Sequence, residues 1–246
     1  MTTLDQPRTG PGAVLAGVDE TPISCIAVDH AAIEAELRGW PLRLVNVRGT
    51  GSDGAGAHLL QRLTDRVHAS APSTPVTSRI VLGEDPARGL LAEAVGAGLV
   101  VVGHRHGITS TTLGRSVADR IGRMHSGPVL VVRMPGWPAG PEYGTRPIVV
   151  AADDTPPARA AVDFALGEAQ ARGCDVTLLH ISGGSELAYR RDVQAGVSVH
   201  HRVVEGDPVL ALVEASGTAA AVVVTRTGPA AYVLPQRALC PVFLVG

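Results

Sequence analysis

Residues 14–39 read VLAGVDETPISCIAVDHAAIEAELRG, and residues 148–173 read IVVAADDTPPARAAVDFALGEAQARG. They belong to a repeat in which residues 14–47 align without a gap on residues 148–181, with 12 identical pairs. Each stretch begins with a short apolar run, continues through Asp-x-Thr-Pro and ends at Arg-Gly. A buried strand followed by a helix that opens at Thr-Pro and stops at Gly is typical of an α/β unit. The sequence therefore predicts two tandem copies of one α/β fold.

Later blocks of sequence extend the repeat, but the difference in residue number between equivalent positions, the offset, becomes smaller. The matching blocks are 83–86 with 205–208, 100–102 with 222–224, and 128–129 with 241–242. The offset falls from 134 to 122 and then to 113, so the second copy has lost 12 residues and then nine. We expect the second loss to remove the loop after the fourth strand and much of the following helix.

Apolar runs and turn residues predict the elements of the first copy. The expected strands are 14–18, 42–47, 76–82, 99–102 and 129–133, and the expected helices are 21–38, 57–69, 85–95 and 117–125. Five apolar strands separated by helices predict a doubly wound, Rossmann-like parallel sheet in each copy. We expect a disordered tail over 1–12, one domain over 13–134, a Pro- and Gly-rich linker over 135–144 and a second, shortened domain over 145–246.

Composition excludes several classes of function. The 21 basic residues are all Arg, so a Walker P-loop, a Schiff-base enzyme and a Ser-Lys hydrolase are ruled out. The net charge of −2 predicts neither nucleic-acid binding nor attraction to an anionic membrane. Three separated cysteines and the absence of an apolar run of about 18 residues favour a reduced, cytoplasmic protein.

Residues just beyond the strand ends are the candidates for binding, because ligands of doubly wound sheets bind there. They are Asp19, Val47 and the Gly-His-Arg-His-Gly segment 103–107. Gly114-Arg115-Ser116 precedes the last helix of the copy and places amides, a hydroxyl and a guanidinium at its positive end. Together they indicate a mononucleotide site. An Asp in the position of Asp19 is as often a helix cap as a ligand.

The chain resembles the universal stress protein family. The resemblance covers nearly the whole chain and rests on Val-Asp-Glu-Thr-Pro (18–22), Leu-Val-Asn-Val (44–47), Gly-Glu-Asp-Pro (83–86), the segment 100–107, Gly-Arg-Ser-Val (114–117) and Gly-Pro-Val-Leu-Val-Val (127–132). It implies a site for ATP or AMP, with Mg²⁺, in which glycine-rich backbone holds the phosphates. The implied site residues are Asp19, Val47, Val102, Gly103, His106, Gly107, Gly114, Arg115, Ser116 and Val117.

The sequence departs from the family's phosphate-binding motif, which is GxxG, nine residues, then G followed by Ser or Thr. His106 stands at the second glycine, and Arg115 separates Gly114 from Ser116. Gly107 and the Arg115 guanidinium are candidates to compensate. The second copy keeps only the last glycine of Thr225-Arg226-Thr227-Gly228, so we expect at most one nucleotide site, in the first copy. By the same logic Asp153 is expected to be a cap.

Other chemistries receive less support. His104 and His106 with His125 or His58 are weak metal-ligand candidates, because no paired Cys or carboxylate cluster accompanies them. The segment 114–118 lacks the strand and final glycine of a nucleophile elbow. We therefore expect a regulatory binding module that is not an enzyme, with weak ATPase activity left open. The alternative is a structural or protein-interaction member in which both sites are degenerate.

The fifth strands predict how the copies meet. Residues 129–133 and 242–245 are apolar and would otherwise leave unpaired sheet edges. We expect them to pair within the chain as a pseudo-dimer, and a homodimer of whole chains stays open.

Overall fold

The structure is a computed structural model that describes residues 12–49, 53–104, 116–133, 145–153, 155–182 and 190–246. Its strands are β1 Ala13–Gly17, β2 Leu42–Arg48, β3 Val76–Leu82, β4 Ala97–His104, β5 Val129–Arg133, β6 Ile148–Ala152, β7 Val176–Ser182, β8 Arg190–Gln194, β9 Val197–Glu205, β10 Ala221–Thr225 and β11 Val242–Val245. Its helices are α1 Pro22–Arg38, α2 Asp53–Ser70, α3 Pro86–Glu93, α4 Val117–Met124, α5 Pro156–Arg172, α6 Pro208–Ala215 and α7 Ala230–Arg237.

All the described strands belong to one sheet, in the order β3-β2-β1-β4-β5-β11-β10-β6-β7-β9-β8. Within each copy the strands from the five predicted runs are parallel. One buried cluster lies beneath α1, α2 and α5, and a second lies on the opposite face beneath α3, α4, α6 and α7. The predicted fold class, two tandem doubly wound α/β units, is confirmed, and the two sheets are continuous with each other.

The copies join through antiparallel pairing of β5 with β11. Leu130 lies opposite Phe243, and these two residues occupy equivalent positions in the repeat, at the offset of 113. Both side chains are fully buried. The junction therefore has an approximate two-fold axis at this pair, and the predicted pairing of the fifth strands is present within the chain.

Helices α1 and α5 also meet across the junction. Four charged side chains lie between them, and they are the repeat-equivalent pairs Glu34 with Glu168 and Arg38 with Arg172. Both carboxylates are almost completely buried. The boundary between the copies thus has an ionic contact as well as a continuous sheet.

The second copy differs from the first in two places. β8 forms an antiparallel hairpin with β9, where the first copy has α2 between its second and third strands. The expected truncation of the last helix is wrong, because α7 has eight residues, as α4 does. The loss falls on the loop instead: residues 226–229 separate β10 from α7, whereas residues 105–116 separate β4 from α4.

Two predicted elements were too short. β4 begins at Ala97 rather than Leu99, because Gly98 interrupts the apolar run while packing beneath the indole ring of Trp40. α2 begins at Asp53 rather than Ala57, because two glycines in its first turn weaken the helical signal. The remaining boundaries agree within two residues. No described helix has the length and hydropathy required to cross a bilayer.

Candidate functional site

A cavity of about 480 Å³ lies at the carboxyl ends of β1, β2 and β4. The chain adds β2 and β3 on one side of β1 and β4 and β5 on the other, so the loops after β1 and β4 diverge and leave a crevice. The described residues that line it are Gly17, Val18, Asp19, Thr21, Ile23, Ser24, Val45, Val47, Pro86, Leu90, Val102, Gly103, Ser116, Val117 and Ala118.

Asp19 shapes one end of the cavity. Its Oδ1 accepts hydrogen bonds from the Thr21 backbone N–H (2.9 Å), the Ser24 hydroxyl (2.8 Å) and the Thr21 hydroxyl. Its backbone N–H donates to Ser24 Oγ (2.9 Å). Asp19 is therefore not the cap of α1: it organises the turn that leads into the helix, and it also lines the cavity. Thr21 occupies the N-cap position, but its hydroxyl donates to Asp19 and does not cap the helix.

The second copy retains part of this turn. Asp153 Oδ1 accepts hydrogen bonds from the backbone N–H (2.7 Å) and hydroxyl (2.5 Å) of Thr155, whose Oγ1 accepts from the Ala158 N–H (3.4 Å). Ala158 replaces Ser24 in the repeat, so the hydroxyl contact is lost. The expected capping role of Asp153 is wrong: Thr155 is the N-cap of α5, and Asp153 holds the turn that leads to it.

The wall of the cavity is apolar. Val45, Val47 and Leu90 contribute side chains from β2 and α3, and Val102 contributes one from β4. Gly103 has a packing role here, because a Cβ at this position would lie 2.8 Å from Ile23 Cγ1. Its missing side chain lets α1 approach β4, so this glycine does not by itself indicate phosphate binding.

The start of α4 forms the other end. Ser116 is the N-cap: its Oγ accepts from the Asp119 N–H (3.1 Å), and the Asp119 carboxylate accepts from the Ser116 N–H (3.2 Å). Ser116, Val117 and Ala118 face the cavity. A helix N-terminus attracts anions, although the Asp119 carboxylate already occupies one of its N–H groups.

An ion pair holds α3 and α4 together beside the cavity. The Arg120 guanidinium donates to both carboxylate oxygens of Asp85, at 2.6 and 2.8 Å. These hydrogen bonds, followed by one from the Arg88 backbone N–H, lower the pKa of Asp85 to about 2. Asp85 is also the N-cap of α3, one residue before Pro86 of the cavity wall. The pair therefore fixes the relative position of two cavity-lining helix starts.

The corresponding region of the second copy has a different structure. The short connection 226–229 contains Arg226, whose Nη2 donates to the carbonyls of Gly127 (2.8 Å) and Ser126 (3.3 Å) in the first copy. Where the first copy has Gly17 and Gly103, the second has Ala151 and Thr225. This end of the second copy thus contributes to the contact between the copies.

The sequence model of the universal stress protein family matches residues 12–133 and 144–236. The chain belongs to the universal stress protein family. A universal stress protein of Mycolicibacterium smegmatis is 28% identical over 257 residues, covering 87% of each chain. One from Mycobacterium tuberculosis H37Rv is 29% identical over 199 residues, and that match covers 68% of this chain and 62% of the relative.

Solved universal stress proteins share the fold. One from Archaeoglobus fulgidus superposes with a TM-score of 0.75 over 95% of both chains, at 16% identity. Another, described as a complex with cAMP, is 28% identical and covers 50% of this chain and 96% of its own, with a TM-score of 0.45. The Archaeoglobus fulgidus structure therefore shares the fold of this universal stress protein over nearly its whole length.

The structure brings together six of the ten predicted site residues of this universal stress protein: Asp19, Val47, Val102, Gly103, Ser116 and Val117. His106, Gly107, Gly114 and Arg115 lie outside the described residues. Sequence reasoning missed Ile23, Ser24 and Leu90, which come from the sides of α1 and α3 rather than from strand ends. Within the described ranges, no group of three or more His, Cys, Asp or Glu side chains is arranged around a metal position.

Proposed function

We propose that this universal stress protein is a regulatory module of the cytoplasm that binds one adenine nucleotide, ATP or AMP, in the cavity of its first copy. The supporting observation is the cavity itself, which joins an apolar wall to a carboxylate at one end and a helix N-terminus at the other. Its volume of about 480 Å³ lies within the range of about 300–1,000 Å³ that is usual for small-molecule sites.

Each part of a nucleotide has a matching surface. The adenine ring would lie against Val45, Val47 and Leu90, and Asp19 would accept hydrogen bonds from the ribose hydroxyls or the adenine amine. The phosphates would face Ser116 and Val117 at the start of α4. Gly103, Val102, His106, Gly107, Gly114 and Arg115 complete the proposed site, and Mg²⁺ would accompany ATP.

Binding rather than turnover is proposed for a chemical reason. Asp19 is the one ionisable side chain among the described lining residues, and its Oδ1 accepts three hydrogen bonds. A general base needs a carboxylate or imidazole that is placed to accept a proton from the substrate. Occupancy would act as a switch, because α1 runs from the cavity to the ionic contact with α5.

The proposed division of the chain is a tail over 1–12, domains over 13–134 and 145–246, and a linker over 135–144. In this arrangement the second domain carries no nucleotide and serves as the permanent partner of the first. Whole chains would then need no further copy to complete the β5–β11 junction, and a homodimer would have to use another surface.

A second candidate function is protein interaction without a nucleotide. It is favoured by the Asp119 carboxylate, which sits at the helix N-terminus where a phosphate would bind. The described lining residues include no Arg to offset that charge. In this alternative the cavity binds no nucleotide, and the outer surface of the two copies binds a partner protein.

Calorimetric titration of the full chain with adenosine, AMP, ADP and ATP, with and without Mg²⁺, tests the proposal. We expect weak binding of one nucleotide per chain, with phosphate release no faster than in buffer. The Asp153→Ala variant is the control and should bind as the wild type does. No binding of any of the four would leave the interaction function, and two tightly bound nucleotides would overturn the assignment of a single site.

A further inference from the structure

Two histidines contact each other on the outer strands of the second copy. His201 of β9 lies beside Leu178 of β7, and His180 is two residues further along β7 on the same face. His180 Nε2 is 2.9 Å from His201 Nδ1. The ring planes are 10° apart and the centroids 5.1 Å apart, so the two rings are nearly coplanar about this N···N contact. The two imidazole nitrogens therefore face each other at hydrogen-bond distance.

This histidine pair, His180 with His201, occurs in the second copy alone. The repeat offsets of 134 and 122 place Asn46 and Arg79 at the equivalent positions of the first copy. There α2 packs on β2 and β3, whereas β8 replaces that helix in the second copy. His201 keeps 16% of its side-chain surface exposed, so the ring lies at the edge of the buried region.

A carboxylate favours one tautomer of His201. Asp192 Oδ2 lies 3.3 Å from His201 Nε2, an ion-pair contact without the alignment of a good hydrogen bond. Its negative charge favours a proton on Nε2, which leaves the lone pair on Nδ1, facing His180. A carboxylate behind the non-ligating nitrogen is the usual outer contact of a metal-binding histidine.

We propose that His180 Nε2 and His201 Nδ1 bind one Cu²⁺ ion at adjacent equatorial positions. With metal–nitrogen bonds of about 2.0 Å, ligands at a right angle are about 2.8 Å apart and ligands at a tetrahedral angle about 3.3 Å apart. The observed 2.9 Å matches the right angle of a tetragonal ion. Solvent completes the coordination, so the site needs no third protein side chain.

Binding requires small changes in the two side chains. The rings turn so that both lone pairs point at the ion, and His180 changes tautomer: Nε2 releases its proton to solvent and Nδ1 takes one up, so the ring stays neutral. No bond other than N–H is broken, and the ion keeps its oxidation state. Imidazole sites follow the affinity order in which Cu²⁺ exceeds Ni²⁺ and Zn²⁺, so copper binds most tightly here.

The opposite face of β9 supplies the control. His200 Nε2 lies 2.8 Å from Asp175 Oδ2 and points away from the pair, because successive residues of a strand alternate faces. Titration of the full chain with CuCl₂ is run in a non-coordinating buffer about one unit above the usual histidine pKa of about 6.5. We expect one ion per chain in the wild type and in His200→Ala, and at least tenfold weaker binding in His180→Ala and His201→Ala.

Electron paramagnetic resonance of the copper-loaded wild type gives a readout that needs no variant. Hyperfine coupling to two imidazole nitrogens is the expected result. No saturable binding, no nitrogen coupling, or undiminished binding in both alanine variants would overturn the site. If circular dichroism shows that an alanine variant is unfolded, the paramagnetic resonance spectrum of the copper-loaded wild type alone tests the site. Asp192→Asn should weaken binding by about tenfold, and an unchanged affinity would overturn its orienting role.

Discussion

The guanidinium of Arg172 in the second copy contacts the carboxylate of Glu34 in the first. The repeat produces the reciprocal contact, in which Arg38 reaches Glu168, and each Arg also pairs with the Glu one turn before it in its own helix. The result is a closed ring of two carboxylates and two guanidiniums about the axis through Leu130 and Phe243. Burial raises the pKa of Glu34, and the charge of Arg172 acts in the opposite direction.

Arg172→Met should destabilise the protein by about 3–5 kcal/mol, because it leaves two buried carboxylates with one guanidinium. The pKa of Glu34 rises further in this variant, so the cost is full at alkaline pH and shrinks as the carboxylate takes up a proton. Urea unfolding at mildly alkaline and mildly acidic pH measures both effects. Arg66→Met is the matched control: its partner is Asp29, its side chain is 50% exposed, and the expected loss is at most about 1 kcal/mol.

His30 should make folding sensitive to acid. Burial first, and the charge of Arg172 second, lower its pKa to about 3. In the unfolded chain His30 binds a proton below about pH 6.5, whereas in the folded chain it stays neutral down to about pH 3. The neutral form therefore contributes its full stability above about pH 6.5, and that stability is lost as the pH falls toward 3. Phe164 occupies the equivalent position in the second copy, which makes His30→Phe a natural replacement. Relative to the wild type, its free energy of unfolding should gain up to about 1.4 kcal/mol per pH unit below pH 6. Parallel pH curves for the two proteins would contradict this.

The two Asp-x-Thr-Pro turns provide a paired test of the proposed nucleotide site. Asp19→Ala should reduce nucleotide affinity by about tenfold, because a hydrogen bond to a charged group is lost. Asp153→Ala should leave affinity unchanged. Both substitutions remove hydrogen bonds in the turn before a helix, so both should lower stability, by about 0.5–1.5 kcal/mol. Calorimetric titration and thermal melts separate the two effects, and equal losses of affinity would remove Asp19 from the site.

A chain truncated after Arg133 should dimerise. It exposes the β5 edge, and antiparallel pairing of two such edges places Leu130 opposite its own copy, as it now lies opposite Phe243. Glu34 and Arg38 would also meet their counterparts in the partner. Sedimentation equilibrium should show a dimer or larger species for the truncated chain, and Leu130→Asp should convert it to a monomer by placing two carboxylates together. If the truncated chain stays monomeric at high concentration, pairing of the β5 edge is not what holds the two copies together.

Much of the fold follows from local sequence signals. Gly39 and Gly173 end α1 and α5 in the left-handed conformation, at φ of 62° and 67°, as their position after the last helical residue predicts. The strand-end rule likewise located Asp19 and Val47 beside the cavity. These features depend on a few residues that are adjacent in the chain, so a local sequence pattern predicts them.

Other features depend on contacts that are distant in sequence. The β8–β9 hairpin was missed because its turn contains Ala195 at φ 48°, a conformation that alanine rarely adopts and that no pattern signals. Leu90 and Ser24 line the cavity because α3 and α1 pack in a particular rotation on the sheet. Glu34 and Glu168 were visible as identical residues in the repeat, but only the packing of α1 on α5 brings them together in a buried site.

The antiparallel junction between β5 and β11 also fixes the direction of each copy. Because the parallel strands of one copy run opposite to those of the other, the cavity after β4 and the histidines near the end of β7 lie at opposite edges of the sheet. Five strand spacings of about 4.8 Å, or about 24 Å, also separate these strands. That is more than twice the screening length of about 8–10 Å at physiological ionic strength. A charged ligand in the cavity should therefore have no electrostatic effect on the histidine pair. The binding free energies of the nucleotide and the metal ion should then be additive.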